Sequence, residues 1–191
     1  MRKTYSSNQV VKKIESLTKL VVININRGGD HLFRIFSGLP TMKRSKITSQ
    51  IFLGGQYNAA GLKKLKTLGV TAIVNMRTTS FKKAAEEVGM IYLQIPTPDY
   101  HAPTLLKLTQ GVQFIDRVIK SEGKVYVHCH AGEGRGPTMA LAYLIKTGLT
   151  LDDALLLVQK VRSFARPTKE QMIRLRQFEK NYRKKNIPSI I

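Results

Sequence analysis

The chain holds a single cysteine, Cys129, among 191 residues. One thiol closes no internal disulfide, which accords with a reducing compartment, and we expect a cytoplasmic protein. Acidic side chains are scarce: 12 Asp and Glu stand against 32 Lys and Arg, a formal charge of +20. Such a surplus draws anions of any kind, whether nucleic acid, acidic lipid headgroups or phosphorylated molecules. Charge alone does not choose among them, and much of it reads as a solvated lysine-rich surface. No apolar run approaches the roughly 20 residues that a membrane-spanning helix needs. The N-terminus opens with charge like a signal peptide, but Asn24 and Asn26 break its apolar part. No small-residue cleavage site follows, so we expect the segment to be retained. Internal repeats and low-complexity tracts are absent too.

What is present suffices for one domain and an appendage. Hydrophobic residues make up 42% of the chain, enough for a core and too many for a disordered segment. Residues 1–46 read as an N-terminal extension, partly helical. Val10, Ile14, Leu17 and Val21 recur at helical spacing with Lys12, Lys13, Glu15 and Lys19 between them. Such a basic amphipathic helix either packs on the main domain or touches a membrane surface. A second apolar group, Leu32, Phe33, Ile35 and Phe36, ends at the boundary signal SGLP.

From residue 47 to 184 the pattern alternates. QIFLGG, VTAIVNM, MIYLQIP and KVYVHC read as strands, and the stretches between and after them as helices. Ser80 is placed to cap one helix, Pro103 to open the first turn of the next, and two helices are expected near 151–163 and 167–184. This alternation implies an α/β fold: a central, mostly parallel sheet flanked by helices on both faces. The tail YRKKNIPSII, with the domain closing at 184 and residues 185–191 beyond it, is expected to fray.

The cysteine sits where this pattern turns from strand to helix, in VHCHAGEGRGPTM. A helix N-terminus presents unpaired N–H groups and positive dipole charge. Gly132 and Gly134 let the amides of His130, Ala131, Gly132, Glu133, Gly134 and Arg135 converge on one point, a concavity suited to a tetrahedral oxyanion. Arg135 adds a planar fork for two phosphate oxygens. The same field favours a thiolate at Cys129, so the loop would hold a phosphate and a sulfur nucleophile together.

The spacing His128-Cys129-x-x-Gly132-x-x-Arg135 resembles the signature of the cysteine-dependent protein-tyrosine and dual-specificity phosphatase superfamily, over about residues 47–184. The length resembles the dual-specificity type. The resemblance implies a protein-tyrosine-phosphatase-like fold, Cys129 as nucleophile, Arg135 as the phosphate and transition-state binder, and His128 as the residue that orients the loop and helps keep the cysteine ionised. It places a general acid in a mobile loop about thirty residues before the cysteine. Asp99, in the proline-framed loop IPTPDYHAP after a strand, fits that separation. His101 is a substitute acid, Asn75 and Arg77 are placed to brace the loop, and Arg166 or Gln171 to line the site. A metal site built from His128, His130 and His101 is disfavoured, because neighbouring ligands in one tight segment make a poor tetrahedral set. No metal or cofactor is expected.

Two departures from the family pattern stand out. Relatives usually carry Ser or Thr directly after the arginine, to stabilise the departing cysteine, whereas this chain has Gly136, with Thr138 two residues on. Glu133 places a carboxylate in a loop where relatives that act on polyphosphoinositides tend to have lysines. The reading is therefore a phosphomonoester hydrolase with a phosphocysteine intermediate. Its substrate is first a phosphoprotein (phosphotyrosine, phosphoserine or phosphothreonine) and second a phospholipid monoester, since several segments also resemble phosphatidylglycerophosphate phosphatases. A weakly catalytic phosphate-binding module is the competing class. Nucleic-acid binding ranks below these, because no aromatic stacking platform accompanies the basic residues. No sequence feature sets an oligomeric state.

Overall fold

The first described segment is one continuous helix. The computed structural model describes residues 7–185, and α1 (Ser7–Ser37) joins both apolar groups of the extension across Gly28 and Gly29. It stops where glycine permits a left-handed residue: Gly38 has φ 76° and its N–H returns to the Arg34 carbonyl at 2.9 Å. Leu39 and Pro40 then carry the chain into the domain.

Four short strands, β1 (Ile51–Gly54), β2 (Val70–Asn75), β3 (Ile91–Gln94) and β4 (Lys124–His128), form a parallel sheet in the order β1-β4-β2-β3. They alternate with α2 (Ala59–Thr67), α3 (Lys82–Glu87) and α4 (Leu105–Lys120), and α5 (Arg135–Lys146), α6 (Leu151–Val161) and α7 (Lys169–Lys185) follow. Alternating strand residues fill two cores. Ile51, Leu53, Ala72, Val74, Val125 and Val127 pack with apolar side chains of α4 to α7. Phe52, Ile73 and Tyr126 face the other way, toward Leu62 and Leu65 of α2 and Ala85 of α3. Helices thus cover both faces, as parallel strands require. The expected α/β architecture is the observed one.

Boundaries shift where capping chemistry decides them. The residue before α3 is Phe81, not Ser80, whose hydroxyl accepts from the Lys82 N–H one step outside the cap. Thr104 caps α4 by accepting from the Lys107 N–H, which leaves Pro103 ahead of the helix instead of in its first turn. Helix α7 begins at Lys169, after Thr168 and Gln171 cap one another, and runs through Tyr182 to Lys185, where fraying was expected. Residues 186–191 and the side chain of Val10 lie outside the described residues.

The functional consequence is the end of β4. His128 pairs with Gly54 of β1 on one side and Asn75 of β2 on the other. Cys129 therefore leaves the sheet at its carboxyl edge from a central strand, where open α/β sheets gather their ligand crevices.

Candidate active site

Cys129 is 3% exposed and lies below the loop that runs from His130 to Arg135, the first residue of α5. The Gly132 N–H donates to its Sγ at 3.2 Å. Gly132 has φ 71°, and a Cβ there would lie 2.5 Å from the Gly54 carbonyl carbon, so the turn needs glycine on both counts.

The loop carbonyls are held outward by donors beyond the pocket. The His130 carbonyl accepts from the Gln56 N–H at 2.9 Å and from Arg34 Nη1 at 2.6 Å. Arg162 donates from Nη2 to the Ala131 carbonyl and from Nε to the Gly132 carbonyl, both at 2.7 Å. The Glu133 carbonyl accepts from the Arg166 N–H at 2.6 Å. With these C=O groups held outward, the Gly132 N–H on the opposite edge of its peptide is free to point at the thiol.

Arg162 is fully buried, and its charge is met by Asp30 of α1 at 3.0 Å, itself 3% exposed. Helix α1 thus docks on the domain with its polar side, through Asn26, Asp30 and Arg34, and reaches Glu133 with Arg27 at 2.8 Å. Its apolar residues Leu17, Val21, Ile25, Leu32, Ile35 and Phe36 remain exposed. They lie on the side of the helix opposite Asn26, Asp30 and Arg34. The extension thus packs on the domain and leaves an apolar stripe outside. Among the described residues no helix is long and apolar enough to cross a membrane.

Arg135 points into the pocket, held by its Nη1 on the Thr97 carbonyl at 2.9 Å. Its Nη2 meets Asp99 Oδ1 at 3.0 Å, while Nε is buried and unpaired. The Asp99 side chain is 59% exposed at the mouth. The following residue, Tyr100, has φ 64° and is anchored by its carbonyl to the Thr168 hydroxyl. This left-handed conformation in a residue with a Cβ stores strain beside the pocket. Cys129, Arg135, Asp99, the loop residues His130, Ala131, Glu133 and Gly134, and Gln171 and Arg166 line one cavity of about 230 Å³. Gln171 is buried, packs against Gly134, and ties Thr168 to His101.

His128 is fully buried between the rings of Tyr57 and Tyr126. Burial pushes its pKa down to about 3, so the imidazole is neutral. Its Nδ1–H donates to the Cys129 carbonyl at 3.1 Å. What it offers the loop is a fixed N–H and not a positive charge. Burial and then Arg34 also lower the pKa of His130, whose Nδ1 faces Gln56.

Three candidates sit elsewhere. Asn75 is buried, but it organises its own turn by accepting from the Arg77 N–H and donating to Thr79 and Tyr92. Arg77 stacks over Phe81 with a buried, unpaired Nη1. His101 is exposed and faces Glu170 at 3.4 Å, away from the cavity lining. Thr138 does not reach Cys129, because its hydroxyl donates to the Gly134 carbonyl at 2.8 Å. Sequence reasoning missed Arg162, Asp30, Arg34 and Gln56. The one available signal was Asp30 itself, a rare acid in a basic segment.

A family model for the dual specificity phosphatase catalytic domain matches residues 51–181. The chain belongs to the dual specificity phosphatase family. Similar curated proteins include dual specificity protein phosphatase 1-A of Xenopus laevis, 37% identical over 131 residues, 68% of this chain and 35% of that protein. Dual specificity protein phosphatase 5 of Rattus norvegicus is 36% identical over 132 residues, 68% of this chain and 34% of that protein. The chain spans about a third of the length of these relatives. Among solved structures, PTPMT1 in complex with PI(5)P superposes with a TM-score of 0.70 at 28% identity, covering 74% of this chain and 97% of that one. Human DUSP28 gives a TM-score of 0.69 at 24% identity over 74% of this chain and 99% of its own, a likeness of fold. The fold is that of the protein-tyrosine phosphatases. The family model begins at residue 51, so α1 lies outside the matched residues.

Proposed function

We propose that this protein hydrolyses phosphate monoesters through a phosphocysteine intermediate. The observation that carries the reading is the convergence of Cys129 Sγ, the unpaired Arg135 Nε and Asp99 on one small cavity, with the Gly132 N–H on the sulfur. The substrate phosphate sits in the loop, its oxygens on the amides and on Arg135, and displaces the Asp99 carboxylate from that guanidinium. Once off the guanidinium, Asp99 takes up a proton from solvent; sulfur then attacks phosphorus, the ester P–O bond breaks, and Asp99 gives that proton to the leaving oxygen. Water then attacks phosphorus, the S–P bond breaks, and Asp99 takes the water's proton. No metal or cofactor enters either step. His128, the loop residues 130–134 and Gln171 position the reacting groups.

The proposed substrate is a phosphorylated protein side chain, in line with the dual specificity protein phosphatases that the chain resembles. The exposed apolar stripe of α1 favours a second reading, a phospholipid monoester met at a membrane surface by peripheral contact through that helix. The solved structure of PTPMT1 with PI(5)P supports it by likeness. We place the protein in the cytoplasm. Residues 1–46 serve as the extension, 47–184 as the catalytic domain and 185–191 as a tail.

The test is hydrolysis of an aryl phosphate across pH with EDTA present. Wild type turns over, Cys129→Ser is inactive, and Asp99→Asn loses about 10²-fold or more. An inactive wild type that still binds vanadate would instead mark a phosphate-binding module.

A further inference from the structure

A second cavity adjoins the catalytic one. Its volume is about 770 Å³, and it runs between α1 and α6. Ile14, Val22 and Ile23 form the α1 wall and Leu156 the α6 wall. Ile14, Val22 and Leu156 are 58%, 49% and 66% exposed, far above what a side chain meeting its neighbouring helix retains. Asn26, Asp30 and Arg34 anchor α1 to the domain, and the groove lies N-terminal to these anchors. There α1 stands off from α6.

The two cavities meet at one residue. Arg166 lines both. Ile23 in the groove and Arg27 in the catalytic pocket are one helical turn apart, about 6 Å along the axis. The groove wall from Ile14 to Ile23 extends about 13 Å farther from the site. Lys19, Lys160 and Arg166 also line the groove, against one acid, Glu15. A ligand that fits is apolar at one end and anionic at the other, with the anion on the side of the catalytic loop.

We infer that the groove holds the hydrocarbon tail of an amphiphilic phosphate monoester whose phosphate occupies the Cys129 loop. This rests on the phosphomonoesterase reading above and names its substrate class. The catalytic pocket alone cannot enclose such a molecule: at about 230 Å³ it takes the phosphate and the first atoms of the leaving group. Arg166, on the rim of the catalytic pocket, also lines the α1–α6 groove, which offers the leaving group an apolar surface. Each methylene buried there tightens binding about fourfold, the equivalent of about 0.8 kcal/mol.

The experiment is a series of n-alkyl phosphates from butyl to dodecyl, each below its micelle-forming concentration, with p-nitrophenyl phosphate as the reference. For wild type, kcat/KM rises about fourfold per added methylene until the groove is full. Val22→Asp and Leu156→Asp, both at exposed positions outside the catalytic loop, flatten that rise and leave p-nitrophenyl phosphate turnover unchanged. Leu106→Asp, on an exposed face of α4, leaves the rise intact. A flat series in wild type, or a rise that survives both groove variants, overturns the proposal. Calorimetry with Cys129→Ser repeats the series without turnover. If the wild type proves inactive while this variant still binds dodecyl phosphate far more tightly than butyl phosphate, the phosphatase reading fails and the groove stands. If the groove variants instead convert a dimer to a monomer and no chain-length effect exists, the face pairs with a second copy and the proposal falls.

Discussion

Arg162 Nη2 lies 3.0 Å from Asp30 Oδ2 with both side chains out of contact with water, while the same guanidinium holds the carbonyls of Ala131 and Gly132. An ion pair between α1 and the end of α6 thus fixes the orientation of the phosphate loop. Removing one partner of a buried pair leaves the other charge stranded, at a cost of about 3–5 kcal/mol. Asp30→Ala should lower urea-unfolding stability by that amount. Asp30→Leu with Arg162→Met should recover most of it and still leave phosphate binding weak, because the loop carbonyls lose their donors. Equal phosphate affinity in the double variant and wild type would show that the pair serves stability alone.

His128 makes stability depend on pH. Its pKa falls to about 3 in the folded protein, against an ordinary value of 6.5. Between these values the unfolded chain binds a proton that the folded one refuses, so stability is full above pH 6.5 and falls as pH drops toward 3. The expected slope is roughly 1.4 kcal/mol per pH unit. Urea unfolding of wild type and His128→Gln at pH 7, 6, 5 and 4 measures it. The variant should show the shallower dependence by about that slope, and parallel curves would refute the assignment.

Gly136 occupies the position where relatives usually place a hydroxyl, and Thr138 is committed to Gly134. A Cβ at Gly136 would meet Leu53 Cδ1 at 3.1 Å and nothing closer, so serine fits after a shift of a few tenths of an ångström. One charge-assisted hydrogen bond to the departing sulfur is worth about 1.5–3 kcal/mol. Gly136→Ser should therefore speed phosphocysteine hydrolysis about 10- to 100-fold. In stopped flow, wild type should show a product burst and slow turnover, and the variant a diminished burst. An unchanged steady-state rate would place the slow step elsewhere.

Glu133 brings a carboxylate to the mouth, but Arg27 of α1 pairs with it at 2.8 Å. Glu133→Gln releases that arginine toward incoming phosphate. KM for an anionic substrate should fall a few-fold at low salt, and the gain should vanish near 0.5 M salt, as screening of an exposed charge requires. A salt-independent change would point to loop geometry instead.

The catalytic loop could be read from the chain because it is local: Cys129, Gly132 and Arg135 sit within one turn between a β-branched run and an apolar helix. Asp99 was reached through the rule that strand ends face the crevice together with the resemblance to phosphatases, which places an acid about thirty residues before the cysteine. The frame that holds the loop was not readable. Arg162 ends a helix whose pattern marks it as one more surface cation, and its partner lies 132 positions away. The face by which helix α1 docks was hidden for a related reason. Apolar periodicity identifies a face but not whether the domain meets that face or its opposite, and here polar side chains made the contact. Asn75 was assigned to the loop by proximity, whereas its hydrogen bonds turned it toward Tyr92.

That separation of 132 residues also has a meaning during synthesis. Chains emerge at roughly 5–20 residues per second, so Asp30 waits several seconds on the ribosome before Arg162 exists. The sheet and its first three helices can condense in that interval, but the phosphate loop cannot be braced until α6 has emerged. A nascent or prematurely ended chain can thus reach a folded sheet without a set catalytic loop, and competence to bind phosphate is acquired last.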